Sequence, residues 1–200
     1  MSNIFFETIK AIDGEIFHIS FHQERYESVL KYFGISSMKN LQEFIKPPKT
    51  GFFRCRLVYE ISKGSHNINV TYHEYKKREV NSLKLVYNDD ISYGFKSTCR
   101  DKLDELYALR GKCDDILIVK NSLITDTSIA NIAFLDSKRW ITPASPLLKG
   151  TTRARLLREG KIFEENIYID DLEKFSQVAL MNAMIDFDII TKNAKDFCAR

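Results

Sequence analysis

The chain has 200 residues, 44% of them hydrophobic, with only 8 glycines and 4 prolines. This length and composition suffice to bury one large core or two small ones, and they argue against a disordered protein. The 30 basic and 27 acidic residues leave a net charge of +3, so bulk charge indicates neither a nucleic-acid nor a membrane partner.

Targeting signals are not evident in the sequence. No apolar run reaches the length needed to span a bilayer, and the first residues have neither a basic segment nor a cleavable apolar core. The four cysteines are too far apart for a CxxC metal or redox motif. We therefore expect a cytoplasmic protein with free thiols.

Strands and short helices are predicted for the first part of the chain. Asp13-Gly14 between apolar stretches predicts a hairpin within residues 4–19, and Ser20 is a candidate N-cap for a helix that ends at Gly34. The remaining predictions are a short helix over 37–45 and antiparallel strands within 51–72 that continue at 83–87. Residues 1–88 are the predicted first lobe.

A second lobe is predicted over residues 89–200. Ser97 or Thr98 can cap a helix that ends near Gly111, and another helix is predicted after Gly150. The other predictions are strands at 116–119, 130–135, 139–142 and 178–181 and a short helix capped by Asp170. Together these patterns predict an α+β protein with two sheet-based lobes.

Lys96 is the first candidate for chemistry. A lysine in such a sequence is usually a solvated surface charge. If Lys96 were partly buried, desolvation would lower its pKa and favour the neutral amine that forms Schiff bases.

A candidate phosphate site lies at Gly150-Thr151-Thr152. A helix start offers unpaired N–H groups and the positive end of the helix dipole, and the two threonines add hydroxyls. Arg25 could clamp the same phosphate with its planar guanidinium. The same residues are also explained as an ordinary helix cap and a solvated arginine.

Asp126 and Asn131 are predicted in a polar turn between two apolar strands. Turn chemistry alone explains both residues. The four histidines show no metal-ligand spacing, and no Ser/His/Asp pattern can be assembled.

These motifs, taken together and in order, resemble the fold type IV pyridoxal-phosphate enzymes, the class IV aminotransferase family. The residues that carry the resemblance are Phe6-Glu7-Thr8, His22-x-x-Arg25, Lys96, Thr125-Asp126 with Asn131, and Leu148-Lys149-Gly150-Thr151-Thr152-Arg153. Compared with that family, the N-terminus is short, aspartate stands at 126 in place of glutamate, and Lys149 stands in place of proline.

The resemblance implies pyridoxal 5'-phosphate as the cofactor, in a cleft between the two lobes. Lys96 matches the Schiff-base lysine, Asp126 the carboxylate at the ring nitrogen, and Leu148 the leucine on the ring. The resemblance assigns the phosphate to Arg25, Thr151 and Thr152, and adds Asn131, Gly150 and Asn182 as further cofactor-binding residues.

Within the family, Leu180-Met181-Asn182-Ala183-Met184 is most similar to the segment of aminodeoxychorismate lyase. Thr8 matches the lyase threonine that assists proton transfer, and Arg100 matches a lyase-like substrate arginine. The implied function is cleavage of 4-amino-4-deoxychorismate to 4-aminobenzoate and pyruvate in folate synthesis. The alternatives are a branched-chain or D-amino-acid aminotransferase and a cofactor-free binding protein. The resemblance further implies a small amino substrate and a homodimer.

Overall fold

The computed structural model describes residues 4–62 and 65–191. Contacts divide the chain into two compact units. The first contains the residues up to Lys77 together with Phe95–Cys99, and the second contains Arg78–Gly94 and the residues from Arg100 onward. Lys96 therefore belongs to the first unit, although the segments that precede and follow Phe95–Cys99 in the sequence belong to the second. The division predicted from the sequence, 1–88 and 89–200, places Lys96 in the other half and stays a prediction.

The first unit is a four-stranded antiparallel sheet with one helix. The strands are β1 (Ile4–Ile12), β2 (Glu15–Ile16), β3 (Phe52–Ser62) and β4 (Ser65–Glu74), in the order β2-β1-β3-β4. Helix α1 (Ile19–Tyr32) contacts β1, and the short 3-10 helix Leu41–Phe44 follows it. Their shared core includes Phe5, Ile9, Tyr26, Leu30, Leu57 and Tyr59.

The residues around Lys96 extend this sheet at β1. Phe5 and Ser97 form an antiparallel bridge, the Phe6 N–H donates to the Lys96 carbonyl at 2.9 Å, and the Thr98 N–H donates to the Ile4 carbonyl at 3.0 Å. Backbone hydrogen bonds therefore fix the position of Lys96 beside Phe6.

The second unit is built on a mixed sheet. Its strands are β5 (Leu83–Tyr87), β6 (Asp115–Lys120), β7 (Leu123–Thr127), β8 (Asn131–Asp136), β9 (Arg139–Pro143), β10 (Ile162–Glu165), β11 (Gln177–Asn182) and β12 (Asp186–Thr191). Its helices are α2 (Asp101–Ala108), α3 (Thr151–Arg158) and a 3-10 helix at Ile169–Lys174. The order is β10-β9-β8-β7-β6-β5, with β11 pairing with both β8 and β12. The β5–β6 and β9–β10 pairs are parallel and the others antiparallel.

Most predicted elements are confirmed, including the opening hairpin, α1, the buried strand at 116–119 and the helix after Gly150. The prediction that residues 83–87 continue the first antiparallel sheet is wrong. These residues form β5, which pairs parallel with β6 in the second unit. Alternation of apolar residues predicts a strand but does not specify its partner.

Three predicted caps are also wrong, because the side chains concerned lie elsewhere. Ser20 lies inside α1, whose N-cap is His18 with a left-handed φ of 56°. The hydroxyls of Ser97 and Thr98 both donate to the Ile4 carbonyl, and α2 begins after Arg100. Asp170 lies inside the 3-10 helix that follows Tyr168.

Candidate active site

Asp126 is the one carboxylate among the predicted site residues, and it is buried. It lies in β7, not in the predicted turn, and pairs with Asn131 at the start of β8. Asn131 Nδ2 donates to Asp126 Oδ1 at 2.7 Å, and the Leu148 N–H donates to Oδ2 at 2.9 Å. Asn131 Nδ2 also donates to the Leu148 carbonyl at 2.8 Å. These hydrogen bonds hold the Leu148 loop onto the two strands.

Burial dominates the electrostatics of Asp126. Desolvation raises the pKa of its carboxyl group to about 6, against the opposing effects of the hydrogen bonds from Leu148 and Asn131 and of the nearby Arg153 charge. A buried carboxylate in this state is stabilised by any cation that approaches it, because its own hydrogen bonds do not fully replace water.

Gly150 allows this arrangement to close. A Cβ atom at position 150 would lie 2.0 Å from Asn131 Oδ1. Helix α3 begins immediately after it, with Gly150 as an N-cap that provides no side-chain hydrogen bond. Thr151 and Thr152 are buried in its first turn. Backbone N–H groups at such a helix start, together with two hydroxyls, suit an anionic ligand.

Arg153, to which the sequence analysis gave no role, anchors the same helix. It is only 4% exposed, and its Nη2 donates to the Pro143 carbonyl at 2.8 Å and to Glu164 Oε1 at 2.6 Å. These contacts tie the first turn of α3 to β9 and β10. An arginine next to a glycine and two threonines gives no sequence signal of burial, since arginine is mostly exposed.

In the first unit, Lys96 is half-buried beside an aromatic ring. Its Nζ lies 4.8 Å from the centre of the Phe6 ring, and the Arg56 guanidinium carbon lies 3.9 Å from the same centre. Thr8 is the next residue of β1 on the Phe6 face and is paired in register with Arg56. Thus Lys96 and Thr8 lie near the same face of the β1–β3 pair.

Arg25 is engaged by an acidic residue for which the sequence predicted no role. Its Nε donates to Glu7 Oε1 at 2.9 Å and its Nη2 to Glu7 Oε2 at 2.5 Å. The sequence signal that could have revealed this pair was present. Glu7 alternates with Phe5 and Ile9 on the face of β1 that packs against α1, where a carboxylate requires a partner.

Arg100 and Asn182 make contacts with the loop that follows Asp126. Arg100 Nη2 donates to the Ser128 carbonyl at 3.0 Å, and Asn182 Nδ2 donates to the Ile129 carbonyl at 3.4 Å. Asn182 Oδ1 also accepts hydrogen bonds from the Met184 and Ile185 N–H groups. Both side chains therefore help to order the loop, and their predicted roles toward substrate and cofactor stay predictions.

The second unit thus brings together Asp126, Asn131, Leu148, Gly150, Thr151 and Thr152, while Lys96, Thr8 and Arg25 lie in the first. Among the residues that the structure describes, no three His, Cys, Asp or Glu side chains could hold a metal ion. Within that same part of the chain, no helix has the length and apolar character needed to cross a membrane.

Comparison with known proteins gives one family over almost the whole chain. Residues 4–192 match the model of the class IV aminotransferases. An uncharacterised protein of Haemophilus influenzae is 40% identical over 185 residues, covering 90% of this chain and 96% of that protein. A Schizosaccharomyces pombe protein, provisionally named aminodeoxychorismate lyase, is 27% identical over 201 residues, which are 91% of this chain and 86% of that protein.

A solved structure supports the same conclusion. The crystal structure of a protein from Haemophilus somnus 129PT, provisionally titled 4-amino-4-deoxychorismate lyase, superposes with a TM-score of 0.80 and 33% identity. The match covers 92% of this chain and 97% of that one.

Proposed function

The chain belongs to the class IV aminotransferase family, whose members are pyridoxal-phosphate-dependent enzymes, and we propose that it acts as an aminodeoxychorismate lyase. The proposed reaction converts 4-amino-4-deoxychorismate to 4-aminobenzoate and pyruvate, a step of folate synthesis. The observation that carries this proposal is the 33% identity to the Haemophilus somnus protein over 97% of its length. The segment Leu180–Met184, which resembles that of the lyases, supports the same choice.

The residues of the second unit fit pyridoxal 5'-phosphate. The uncapped start of α3 and the hydroxyls of Thr151 and Thr152 offer donors to a phosphate, and Gly150 leaves the space that a side chain would fill. Asp126 is a buried carboxylate whose pKa is raised by burial, so a protonated ring nitrogen would stabilise its charge. Leu148 would pack on the ring, since its backbone is already fixed to Asp126 and Asn131.

Bound pyridoxal phosphate supplies an electron sink for negative charge that develops on the substrate next to its nitrogen. Asp126 would keep a proton on the ring nitrogen. Lys96 would hold the cofactor covalently and then carry protons to and from the substrate, because its amine is the basic group fixed beside Phe6. The Thr8 hydroxyl would assist that proton transfer, and Arg100 would bind substrate.

Visible absorbance tests the cofactor assignment. We expect purified protein with added pyridoxal phosphate to show a visible band that borohydride bleaches, and the Lys96→Ala variant to lack it. Lys84→Ala, which removes an exposed lysine of β5, is the matched control and should keep the band. A wild type that stays colourless with excess cofactor would instead support a cofactor-free binding protein.

An assay of the products separates lyase from aminotransferase. The lyase should release one pyruvate per 4-aminobenzoate without any keto-acid acceptor. A branched-chain or D-amino-acid aminotransferase, the alternative favoured by the family's name, would need an acceptor and would form no 4-aminobenzoate. For the assembly we propose a homodimer, as the family resemblance implies, and for the location we propose the cytoplasm, as the sequence led us to expect.

A further inference from the structure

Glu7 is a fully buried carboxylate at the centre of the first unit. Its exposed fraction is 0%, and its neighbours on the same face of β1 are Phe5 and Ile9. Burying a charge among such side chains is costly unless partners compensate it. The position therefore demands a reason beyond packing.

Three hydrogen bonds compensate the charge of Glu7. Arg25 donates twice, through the parallel pairs Nε–Oε1 and Nη2–Oε2, and His22 Nδ1 lies 2.6 Å from Oε2. Two parallel hydrogen bonds to a planar guanidinium fix both its distance and its plane. Since Arg25 is 13% exposed, its guanidinium is held near the edge of the buried cluster.

The charges in the cluster are set by burial and by Arg25. Burial alone would raise the pKa of Glu7, but the Arg25 charge and the hydrogen bonds from His22 and Arg25 lower it to about 2. Burial also lowers the pKa of His22, so this ring is neutral at pH 7 and can donate from Nδ1. The cluster thus holds the negative charge of Glu7 and the positive charge of Arg25, and their attraction helps to fix the orientation of Arg25.

We propose that Glu7 is a positioning residue that holds the Arg25 guanidinium in one fixed orientation for binding the cofactor phosphate. Glu7 accepts hydrogen bonds from Nε and Nη2, so it fixes the plane of that guanidinium. This inference rests on the proposed function, because it assumes that the protein binds pyridoxal phosphate. His22 supports the arrangement by holding the second carboxylate oxygen.

The preference for pyridoxal phosphate over pyridoxal measures the contribution of the phosphate alone. Dissociation constants of both compounds are determined by visible absorbance titration of wild type, Glu7→Gln and Glu7→Asp. We expect the preference to fall roughly tenfold in both variants, by analogy with the loss of a residue that orients a metal ligand. Glutamine keeps the shape of Glu7, but its amide NH₂ group cannot accept a hydrogen bond from Arg25. Aspartate keeps the charge, but its side chain is too short to accept from both Arg25 nitrogens.

Other roles for Glu7 give different results. If Glu7 acted only through its negative charge, the preference would rise in Glu7→Gln, because a negative charge near the phosphate is removed. In Glu7→Asp, which keeps the charge, the preference would be unchanged. A purely structural role would lower the melting temperature and leave the preference unchanged in both. Either pattern overturns the proposal. His66→Gln, which disturbs the core of the same unit without contacting Arg25, controls for loss of stability.

A double variant tests whether Glu7 acts through Arg25. Once Arg25→Met has removed the guanidinium, adding Glu7→Gln should change the preference no further. An undiminished second effect would refute the mechanism. If the wild type binds no pyridoxal phosphate, the proposed function itself is refuted. If the wild type binds it, but the preference for pyridoxal phosphate over pyridoxal is the same in the Glu7 variants, only this inference is refuted.

Discussion

Gly150 should be difficult to replace, because a side chain at this position has no room. In the Gly150→Ala variant the new methyl group would lie 2.0 Å from Asn131 Oδ1, which is closer than atoms can approach. Asn131 would have to move and would lose its hydrogen bonds to Asp126 Oδ1 and to the Leu148 carbonyl. The backbone at position 150 has φ −71° and ψ 148°, so conformational strain would not contribute.

The hydrogen bonds give the expected magnitude. A charge-assisted hydrogen bond contributes about 1.5–3 kcal/mol and a neutral one about 1 kcal/mol, so the free energy of unfolding should fall by about 2–4 kcal/mol. For a chain of this size that corresponds to a fall in Tm of roughly 5–15 °C. Urea unfolding followed by circular dichroism measures the free energy of unfolding, and a thermal scan measures Tm.

Two further variants make the prediction refutable. Gly94→Ala is the matched control, because a Cβ there meets nothing within 4 Å. In an Asn131→Ala background the clash has no partner, so Gly150→Ala should cost no more than about 1 kcal/mol, the usual cost of alanine at an N-cap. If Gly150→Ala is as stable as Gly94→Ala in the wild-type background, the close contact with Asn131 is not a constraint.

Three other predictions follow from buried ionisable groups. Because the pKa of Glu7 is lowered to about 2 from 4.5, ionised Glu7 stabilises the fold above about pH 5, and about 3 kcal/mol should be lost as pH falls toward 2. Acid unfolding of wild type against Glu7→Gln measures this, and parallel curves would contradict it. For Asp126, ionisation has the opposite effect on stability. Its pKa is raised from 3.8 to about 6, so ionising it should destabilise the cofactor-free protein by about 3 kcal/mol as pH rises from about 4 to 6. Asp126→Asn should lack this contribution in the same urea titrations, and an unchanged pH slope would count against it. Finally, burial raises the pKa of the Cys55 thiol to about 12, so iodoacetamide at pH 8 should label exposed Cys99 well before Cys55, as read by mass spectrometry. Early labelling of Cys55 in folded protein would show that this core opens readily.

Local patterns were sufficient to predict most elements. Asp13-Gly14 predicts its hairpin because a tight turn needs positive φ, and the structure gives 48° and 87° at these residues. Glycine and threonine at 150–152 predict the start of α3 because these residues are favoured at helix N-termini. Residue chemistry alone made Lys96, Asp126 and the Gly150 segment candidates, but only the family resemblance joined them into one cofactor site, since each has an ordinary structural explanation when taken alone.

The sequence by itself determined which segments are strands and helices, because their apolar periodicity and turn residues act over a few neighbours. Only the tertiary structure decided the partners. It paired β5 in parallel with β6, and it placed the Lys96 segment on the edge of β1, far away along the chain. It also brought Arg25 into hydrogen-bond contact with Glu7 and buried Arg153. Such choices depend on which distant backbone edges and charges remain to be satisfied when the chain folds, and a local pattern does not contain that information.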